Sequence, residues 1–459
     1  MSTPKPPENK MGVQPIGRLL AGMGIPVMIS MMVQALYNVV DSIFVSMLSE
    51  NALTAVSLAF PLQNLMIATI AGTTVGMNAL LSRSLGAKQQ DRADRAACVG
   101  IFLAICTFVV FAIVGLTCSR PFFAVQTDVQ EIVDYGTAYT TICLGGSISL
   151  MLQFTFERLL QSTGRTHFSM CTQVLGACVN IALDPVFIFG LFGAPRLEVA
   201  GAGVATVIGQ TTAAVVALIL NLKKNPDIHI RPRFIRWHGE TVRRIYQIGF
   251  PSIVMMCIGS VMNFCLNKIL ISFTTTAAAV FGAYMKLQSF IFMPVFGLNN
   301  AMVPILAYNY GAKKPERVWR TIKLSVFTAM SVMAVGTALF EIIPGPLLGL
   351  FSASPDMLAI GIPALRIIGI HFIVAGFCIV SSSVFQAIGN PVYSLITSIC
   401  RQLVVLLPAA WLLSKTGVLT LVWLAFPIAE VASLTLSAIF LRRTIRKAGQ
   451  VMAQTGAEG

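Results

Sequence analysis

The sequence GAKQQDR at residues 86–92 returns at residues 311–317 as GAKKPER, 225 positions further along the chain. Chance matches in an apolar chain fall mostly on Leu, Val and Ala, so recurring Gly, Pro, Gln and Asn residues indicate a true duplication. Such residues recur at the same offset: Gly24 and Gly249, Pro26 and Pro251, Asn38 and Asn263, Gln63 and Gln288, Gly72 and Gly297, Gln161 and Gln386, Gly164 and Gly389. The sequence therefore predicts two halves with the same fold.

The composition places both halves in a membrane. Of the 459 residues, 56% are hydrophobic and 11% are charged, whereas soluble domains carry about 25% charged residues. With about 20–25 residues per span, this length holds on the order of a dozen helices. A net charge of +14 would suggest nucleic acid in a soluble protein, but in a membrane protein it reports topology, and we expect no nucleic-acid partner.

The predicted fold is an all-α integral membrane protein with twelve transmembrane helices in two parallel-repeat six-helix bundles around a central cleft. Because each half has an even number of spans, six, both halves begin on the same side of the membrane. The repeat is therefore parallel. The predicted spans are 19–48, 52–80, 96–118, 130–152, 166–192, 199–221, 244–272, 277–307, 320–343, 356–382, 392–414 and 418–441.

These spans divide the chain into a cytoplasmic N-terminal segment (1–18), an N-lobe (19–221), a cytoplasmic linker (222–243), a C-lobe (244–441) and a cytoplasmic tail (442–459). One set of alternate connections, with both termini, holds 25 Lys and Arg residues, and the opposite set holds three, Arg120, Arg196 and Lys415. The positive-inside rule therefore predicts a multi-pass protein of the cell (inner or cytoplasmic) membrane with both termini in the cytoplasm.

Soluble-enzyme motifs are missing from the sequence, which contains no GxxxxGK[ST], HExxH or GxSxG pattern. The ten cysteines are scattered without any CxxC spacing, so neither a zinc site nor a disulfide framework is indicated. We expect no enzyme and no cofactor.

Two acids inside predicted spans are the strongest functional signal. Asp41 in span 1 and Asp184 in span 5 lie at similar depth, and each ionised carboxylate costs about 2.5–3.5 kcal/mol at a span centre. Asn180 lies one helical turn before Asp184. We predict that these three residues bind the coupling cation, a proton or Na⁺, with no other metal; two neutral acids that bond neighbouring helices are the alternative.

Four polar residues are predicted to line a substrate cavity beside the acids: Gln34, Tyr37, Asn38 and Tyr139. Pro185 follows Asp184 directly and frees a backbone carbonyl one turn earlier, so it predicts a kink beside the acid. Pro26 predicts a second kink, in the first span.

The second half lacks the acids, because the 225 offset places Asp41 on Leu266 and Asp184 on Ala409. Coupling is therefore predicted in the first half. In the second half, Arg401 and Glu430 lie at one depth, and we interpret them as a structural ion pair, with a transport role as the alternative.

Taken together, several motifs resemble the multidrug and toxic compound extrusion (MATE) family from about residue 15 to 447. They are Gly24-Ile25-Pro26, the segments 37–41, 160–165, 180–185 and 201–206, and the repeated Gly-Ala-Lys at 86–88 and 311–313. The resemblance implies twelve helices in two lobes and efflux of organic, often cationic, drug-like molecules in exchange for protons or sodium ions. We therefore expect small-molecule substrates and membrane lipid as partners, and a monomer.

Within that family the chain looks like the DinF-like branch, which implies that Asp41 and Asp184, with Asn180, bind the coupling cation. It departs from the NorM-like pattern, since span 7 carries no carboxylate. A flippase for a lipid-linked oligosaccharide or cell-wall precursor is the alternative function, which would require a basic cleft for a pyrophosphate. A structural or receptor protein would leave the duplication and the paired acids unexplained.

Overall fold

The computed structural model describes residues 9–351 and 353–454. The outer parts of the predicted terminal segments, 1–8 and 455–459, lie outside the described residues. Within the described ranges the regular elements are helices. In chain order they are α1 Lys10–Val13, α2 Ile16–Ser46, α3 Glu50–Gly86, α4 Gln90–Ala124, α5 Gln130–Gly145, α6 Ile148–Ser162, α7 Thr166–Phe189, α8 Val199–Lys224, α9 Gly239–Ile271, α10 Thr275–Gly311, α11 Pro315–Ile342, α12 Pro344–Gly349, α13 Pro355–Gly369, α14 Phe372–Ile388, α15 Pro391–Ile399, α16 Leu407–Ser414, α17 Leu419–Val422 and α18 Ala425–Gln454. A π-helix, Cys400–Leu406, joins α15 to α16, and short 3₁₀ turns cover Leu191–Gly193 and Pro232–Phe234.

The duplication is visible in the backbone. Helices α3 and α10 are both 37 residues long and begin 225 positions apart. Each begins at a hydroxyl N-cap, since the Ser49 and Thr274 side chains accept a hydrogen bond from a backbone N–H of the first turn. Each ends at the Gly-Ala-Lys turn, where Lys88 and Lys313 both adopt positive φ, 57° and 55°. The repeated sequence therefore specifies the same helix and the same turn in both halves.

In the part of the chain that the structure describes, ten helical segments are long and apolar enough to span a membrane, and α13 with α14, bent by 50°, make an eleventh. The fourth predicted span, 130–152, is not one helix. It is divided into α5 and α6, which together run from Gln130 to Ser162. The single span predicted at 356–382 is likewise the bent pair α13 and α14. These eleven segments match eleven of the twelve predicted spans, and α5 with α6 occupy the place of the fourth.

The two breaks are equivalent in the repeat, since Gly146 and His371 are 225 positions apart. Two glycines precede Ser147 at the first break, and Gly-Ser pairs are a common cause of helix kinks. A Cβ on Gly146 would lie 2.8 Å from Val207 and 3.0 Å from the Ile142 carbonyl oxygen, so helix α8 packs closely against this break.

By internal contacts the chain divides into two compact units. Within the described residues, unit 1 comprises 9–13 and 25–253, and unit 2 comprises 14–24, 254–351 and 353–454. The predicted lobes followed chain order, whereas here the first part of α2 groups with unit 2 and the first part of α9 groups with unit 1. The changes fall next to Pro26 and Pro251, the paired prolines inside these two helices.

The predicted linker is attached to unit 1 through a buried acid. Asp94 of α4 is fully buried and accepts hydrogen bonds from the backbone N–H of His229, at 2.9 Å, and from the Gln90 side chain. Arg231 lies 3.6 Å from the same carboxylate. Because a buried carboxylate requires such partners, the linker segment is held in one place on α4.

Candidate cation and substrate site in the first unit

Unit 1 contains a cavity of about 530 Å³. All four predicted substrate-binding residues line it, Gln34, Tyr37, Asn38 and Tyr139, and so does Asp41. The first three and Asp41 are one turn apart on one face of α2, and Tyr139 comes from α5. Among the described residues that line this cavity, Asp41 is the one that carries a charge.

Asp184 and Asn180 lie on α7, one turn apart, and both are buried. The Asn180 amide nitrogen lies 3.4 Å from Asp184 Oδ1 and 3.3 Å from Thr206 Oγ1. Thr206 in turn lines the cavity. A chain of polar groups therefore leads from the cavity wall through Asn180 to Asp184.

Close helix packing brings these residues together. A Cβ on Gly209 of α8 would lie 2.7 Å from the Gly176 carbonyl oxygen and 3.0 Å from Asn180 Cβ. Small residues at such a crossing let two membrane helices approach closely. The glycines thus place Asn180 of α7 within reach of Thr206 of α8.

Three oxygen atoms of the predicted cation site are buried and have no hydrogen-bond partner among the described residues: Asp41 Oδ1, Asn180 Oδ1 and Asp184 Oδ2. Buried polar atoms are normally satisfied, and leaving one unsatisfied costs about 1–3 kcal/mol. The two carboxylates also lie within electrostatic range of each other. Such a set of oxygens is suited to hold a proton or a hard cation such as Na⁺.

Asp41 and Asp184 therefore lie near each other, as their similar depth in the sequence indicated. Pro185 lies inside α7 and Pro26 inside α2. The Ser30 hydroxyl donates a 2.9 Å hydrogen bond to the Pro26 carbonyl. The kinks predicted at the two prolines stay predictions.

Several cavity residues were not identified from the sequence. The Gln63 side chain donates a 3.2 Å hydrogen bond to the Tyr139 hydroxyl, and Thr206 and Gln210 of α8 complete the polar wall. Gln63 is one of the residues that recur at the 225 offset, which is the signal that could have found it.

Glu157 was also missed. The fourth span was predicted to end at residue 152, which left Glu157 in a loop, but α6 continues to Ser162 and buries the carboxylate. It accepts hydrogen bonds from Gln153, Thr172 and Gln173 at 3.1, 3.2 and 2.7 Å. An acid within the apolar segment 148–160 was the available signal.

Two repeats of membrane-length helices, with a cavity and buried acids beside it, are an architecture typical of transporters. The MatE family model matches residues 26–186 and 251–412, one match in each half of the chain. The chain belongs to the MatE family, whose members are membrane transporters.

Relatives in this family match nearly the whole chain. The FAD transporter of Shewanella oneidensis is 27% identical over 91% of this chain and 92% of its own length. The multidrug export protein MepA of Staphylococcus haemolyticus is 24% identical over 89% of each protein. The family and the MepA relative support a function in multidrug efflux.

Solved structures have the same fold. A multidrug resistance MATE family transporter of the MOP superfamily, in an outward-facing conformation, superposes with a TM-score of 0.91 at 25% identity. The alignment covers 98% of this chain and 100% of that one. A MOP superfamily transporter from Pyrococcus furiosus superposes with a TM-score of 0.90 at 25% identity, over 97% and 99% of the two chains.

Proposed function

We propose that this protein is a secondary active efflux transporter that exports organic cationic or aromatic compounds in exchange for protons or Na⁺ by alternating access. It acts as a monomer in the cell membrane, with both termini in the cytoplasm. The coupling cation binds at Asp41, Asn180 and Asp184, and the substrate binds in the adjoining cavity of unit 1.

The observation that carries this proposal is the group of three unpartnered oxygens beside the cavity. A carboxylate inside a membrane is costly unless it is neutralised, paired or hydrated. Binding a proton or Na⁺ at these oxygens offsets that cost. The cavity next to them has its one charge on Asp41 and is otherwise lined by apolar, aromatic and neutral polar side chains, which suits an aromatic cation.

Substrate and coupling cation both interact with Asp41, and this shared interaction couples the export of one to the import of the other. Asp41 lines the cavity, so its negative charge attracts a cationic substrate, and binding of the coupling cation removes that charge. Substrate and coupling cation then weaken each other's binding, and by linkage the factor is the same in both directions. Alternating access converts this negative coupling into antiport, because each ligand favours the state in which the other has left.

Helix α7, with the kink predicted at Pro185, can transmit the change. Pro185 follows Asp184 directly, so a movement that accompanies cation binding bends α7 at a position where the backbone hydrogen-bond ladder is already interrupted. Asn180 lies on the other side of the acid and is bonded to α8. Neutralising Asp184 therefore alters the contact between α7 and α8 at the cavity wall.

The test uses purified protein in proteoliposomes with an imposed proton gradient or an imposed Na⁺ gradient. We expect one of the two gradients to drive uptake of a fluorescent aromatic cation into the proteoliposomes, by those transporter molecules that are inserted inside-out. Asp41→Asn and Asp184→Asn should each lower gradient-driven transport by about tenfold or more, in the range of typical coupling factors. Substrate affinity should also lose its dependence on pH or sodium.

Asp134→Asn is the matched control, since Asp134 is an exposed acid of the same unit that lies away from the cavity. It should transport like the wild type. Wild-type transport by both Asp41→Asn and Asp184→Asn would overturn the proposed coupling site. Transport of a lipid-linked sugar with no response to either gradient would support the flippase alternative instead.

A further inference from the structure

Unit 2 has a cavity of its own, of about 450 Å³. Gln288 lines it, and its repeat counterpart Gln63 lines the cavity of unit 1. Among the described residues that line the second cavity, Arg401 is the one that carries a charge. The remaining wall is made of apolar side chains, mainly methionine and phenylalanine, and of neutral polar side chains. The two cavities thus have similar size and opposite charge.

Arg401 lies in the π-helix Cys400–Leu406. Pro408 follows within the next turn and has no N–H to donate to the carbonyl of Val404, which loosens the helical ladder here. π-Helical turns are frequent at functional sites because they shift a side chain out of regular register. The repeat counterpart of Arg401 is Gly176, which lies in the regular helix α7.

The Arg401 side chain is 32% exposed and donates one hydrogen bond, at 3.4 Å, to Glu430 Oε2. A guanidinium has five N–H donors, and in the described residues this is the one hydrogen bond that the Arg401 side chain donates. The carboxylate of Glu430 is 3% exposed and does not line the cavity. The other donors of Arg401 are therefore available on the cavity side.

A second group in the wall also lacks partners. Asn299 is 5% exposed, and within the described residues neither its side-chain amide nitrogen nor its side-chain amide oxygen has a hydrogen-bond partner. Beyond the wall, the titratable groups within electrostatic range of Arg401 and Glu430 are His371 and Tyr284. A buried amide with two unmet hydrogen bonds requires polar partners, which water or a ligand with its own polar atoms can supply.

We propose that the cavity of unit 2 is a binding site for aromatic organic anions, in which Arg401 binds the carboxylate or phosphate group. This assignment rests on the proposed transport function and adds a substrate class to it. Asn299 donates a further hydrogen bond to the anionic group, and Phe292 and Phe296 contact the aromatic ring.

Charge and shape both favour this ligand class. A guanidinium binds carboxylates and phosphates through two parallel hydrogen bonds, which are about twice as strong as those between neutral groups. A cationic ligand would meet the guanidinium of Arg401 as a like charge, whereas the Glu430 carboxylate that pairs with it is buried outside the described wall. Glu430 acts as a positioning residue, since its buried carboxylate fixes one edge of the guanidinium and leaves the other edge open.

The probes are four derivatives that share the naphthalene ring system and differ in the charge of the substituent: 1-naphthoate, 1-naphthyl phosphate, 1-naphthalenemethanol and 1-naphthylmethylammonium. Binding is measured at equilibrium with the purified full chain in a non-ionic detergent. We expect the wild type to bind the two anions about tenfold more tightly than the neutral alcohol. Arg401→Gln should remove this preference and leave the affinity for the alcohol unchanged.

Arg401→Gln alone leaves Glu430 buried without its counter-charge and can impair folding. The double variant Arg401→Gln, Glu430→Gln removes both charges and avoids this cost, and it should also lose the anion preference. Arg320→Gln, an exposed arginine of the same unit, is the matched control and should bind like the wild type.

Anion preference that persists in a folded double variant would overturn the proposal, and so would a wild type that binds all four probes equally. Displacement of 1-naphthyl phosphate by phosphatidylglycerol but not by 1-naphthoate would assign the site to a lipid headgroup and also overturn it. Asp41→Asn should keep the anion preference. A failure of the coupling proposal therefore leaves this result unchanged, and the two proposals can fail separately.

Discussion

The two units have kept the same backbone while their cavities differ in charge. Both contain a 37-residue helix with a hydroxyl cap at one end and the Gly-Ala-Lys turn at the other. Both hold a cavity of about 450–530 Å³ with an equivalent glutamine in its wall. The charged wall residue is Asp41 in unit 1 and Arg401 in unit 2, and neither has a charged counterpart in the other repeat.

The difference shows which residues the duplicated fold depends on. Turns, caps and close helix crossings require particular backbone geometry, so the same residue types recur at the 225 offset. A charged side chain in a cavity wall requires only space and a partner, and it can change in one copy without disturbing the other. Leu266, the counterpart of Asp41, is fully buried, which shows how far the two sites have diverged.

The largest expected effect concerns topology. If the repeat is parallel, Lys88→Cys and Lys313→Cys, in the two Gly-Ala-Lys turns, should both react with a membrane-impermeant maleimide from the cytoplasmic side only. Arg196→Cys, in the sparsely charged set of connections, should react from the outside only. All three are made in a background without exposed native cysteines.

Labelling of Lys88→Cys and Lys313→Cys from opposite sides would contradict the parallel repeat and the proposed topology together. Labelling of both from the outside would reverse the orientation and keep the repeat.

The next largest effect concerns Leu266, which occupies the position in unit 2 that Asp41 occupies in unit 1. Leu266→Asp places a carboxylate at a fully buried site, and an uncompensated buried charge should lower the free energy of unfolding by on the order of 4 kcal/mol. Asp41→Asn should keep or raise thermal stability, because Asp41 Oδ1 is buried without a partner. Melting temperatures in detergent measure both effects.

Leu266→Met, which keeps the volume, is the control and should cost less than about 1.5 kcal/mol. A melting temperature of Leu266→Asp equal to that of the wild type would show that unit 2 tolerates an acid where unit 1 has one.

The helix crossings should respond unequally to the same substitution. Gly249 and Gly24 are repeat equivalents, but a Cβ on Gly249 would lie 2.8 Å from the Gly72 carbonyl oxygen, whereas one on Gly24 would lie 3.7 Å from Leu298. Gly249→Ala should therefore cost about 2 kcal/mol by overpacking. Gly24→Ala should be neutral or gain up to about 1 kcal/mol in helix propensity.

Gly22→Ala serves as the control, since a Cβ there would meet nothing within 4 Å. Equal losses of stability in Gly249→Ala and Gly24→Ala would mean that the two crossings are equally tight.

The smallest expected effect is on the free energy of unfolding, and it should be the same for the two Gly-Ala-Lys turns. Lys88 and Lys313 adopt positive φ without being glycine, which costs an L-residue about 1 kcal/mol. Lys88→Gly and Lys313→Gly should each raise the free energy of unfolding by about that amount. Lys323→Gly, inside helix α11, should lower it by a similar amount. Unequal gains at the two turns would show that the units differ in backbone strain as well as in charge.

The sequence by itself determined the duplication, the membrane class and the acids. Apolar spans and repeated Gly, Pro and Gln residues are encoded along the chain, so an offset comparison finds them without coordinates. Asp41 and Asp184 could be identified because an acid in an apolar span is costly wherever its helix packs. Gln34, Tyr37 and Asn38 followed from their position on the turns before Asp41. Tyr139 followed from its depth in the fourth span, since depth in a membrane can be counted along a helix.

The tertiary structure decided what sequence position cannot specify. Whether Arg401 only pairs with Glu430 or also lines a cavity depends on which residues surround it in the packed structure. The direction of its side chain depends on the π-helix, which is a feature of the local backbone geometry. The burial of Glu157 and the breaks near Gly146 and His371 likewise arise from packing between helices distant in sequence. A one-dimensional pattern gives the depth and polarity of a residue, but only the packed helices determine which side chains meet.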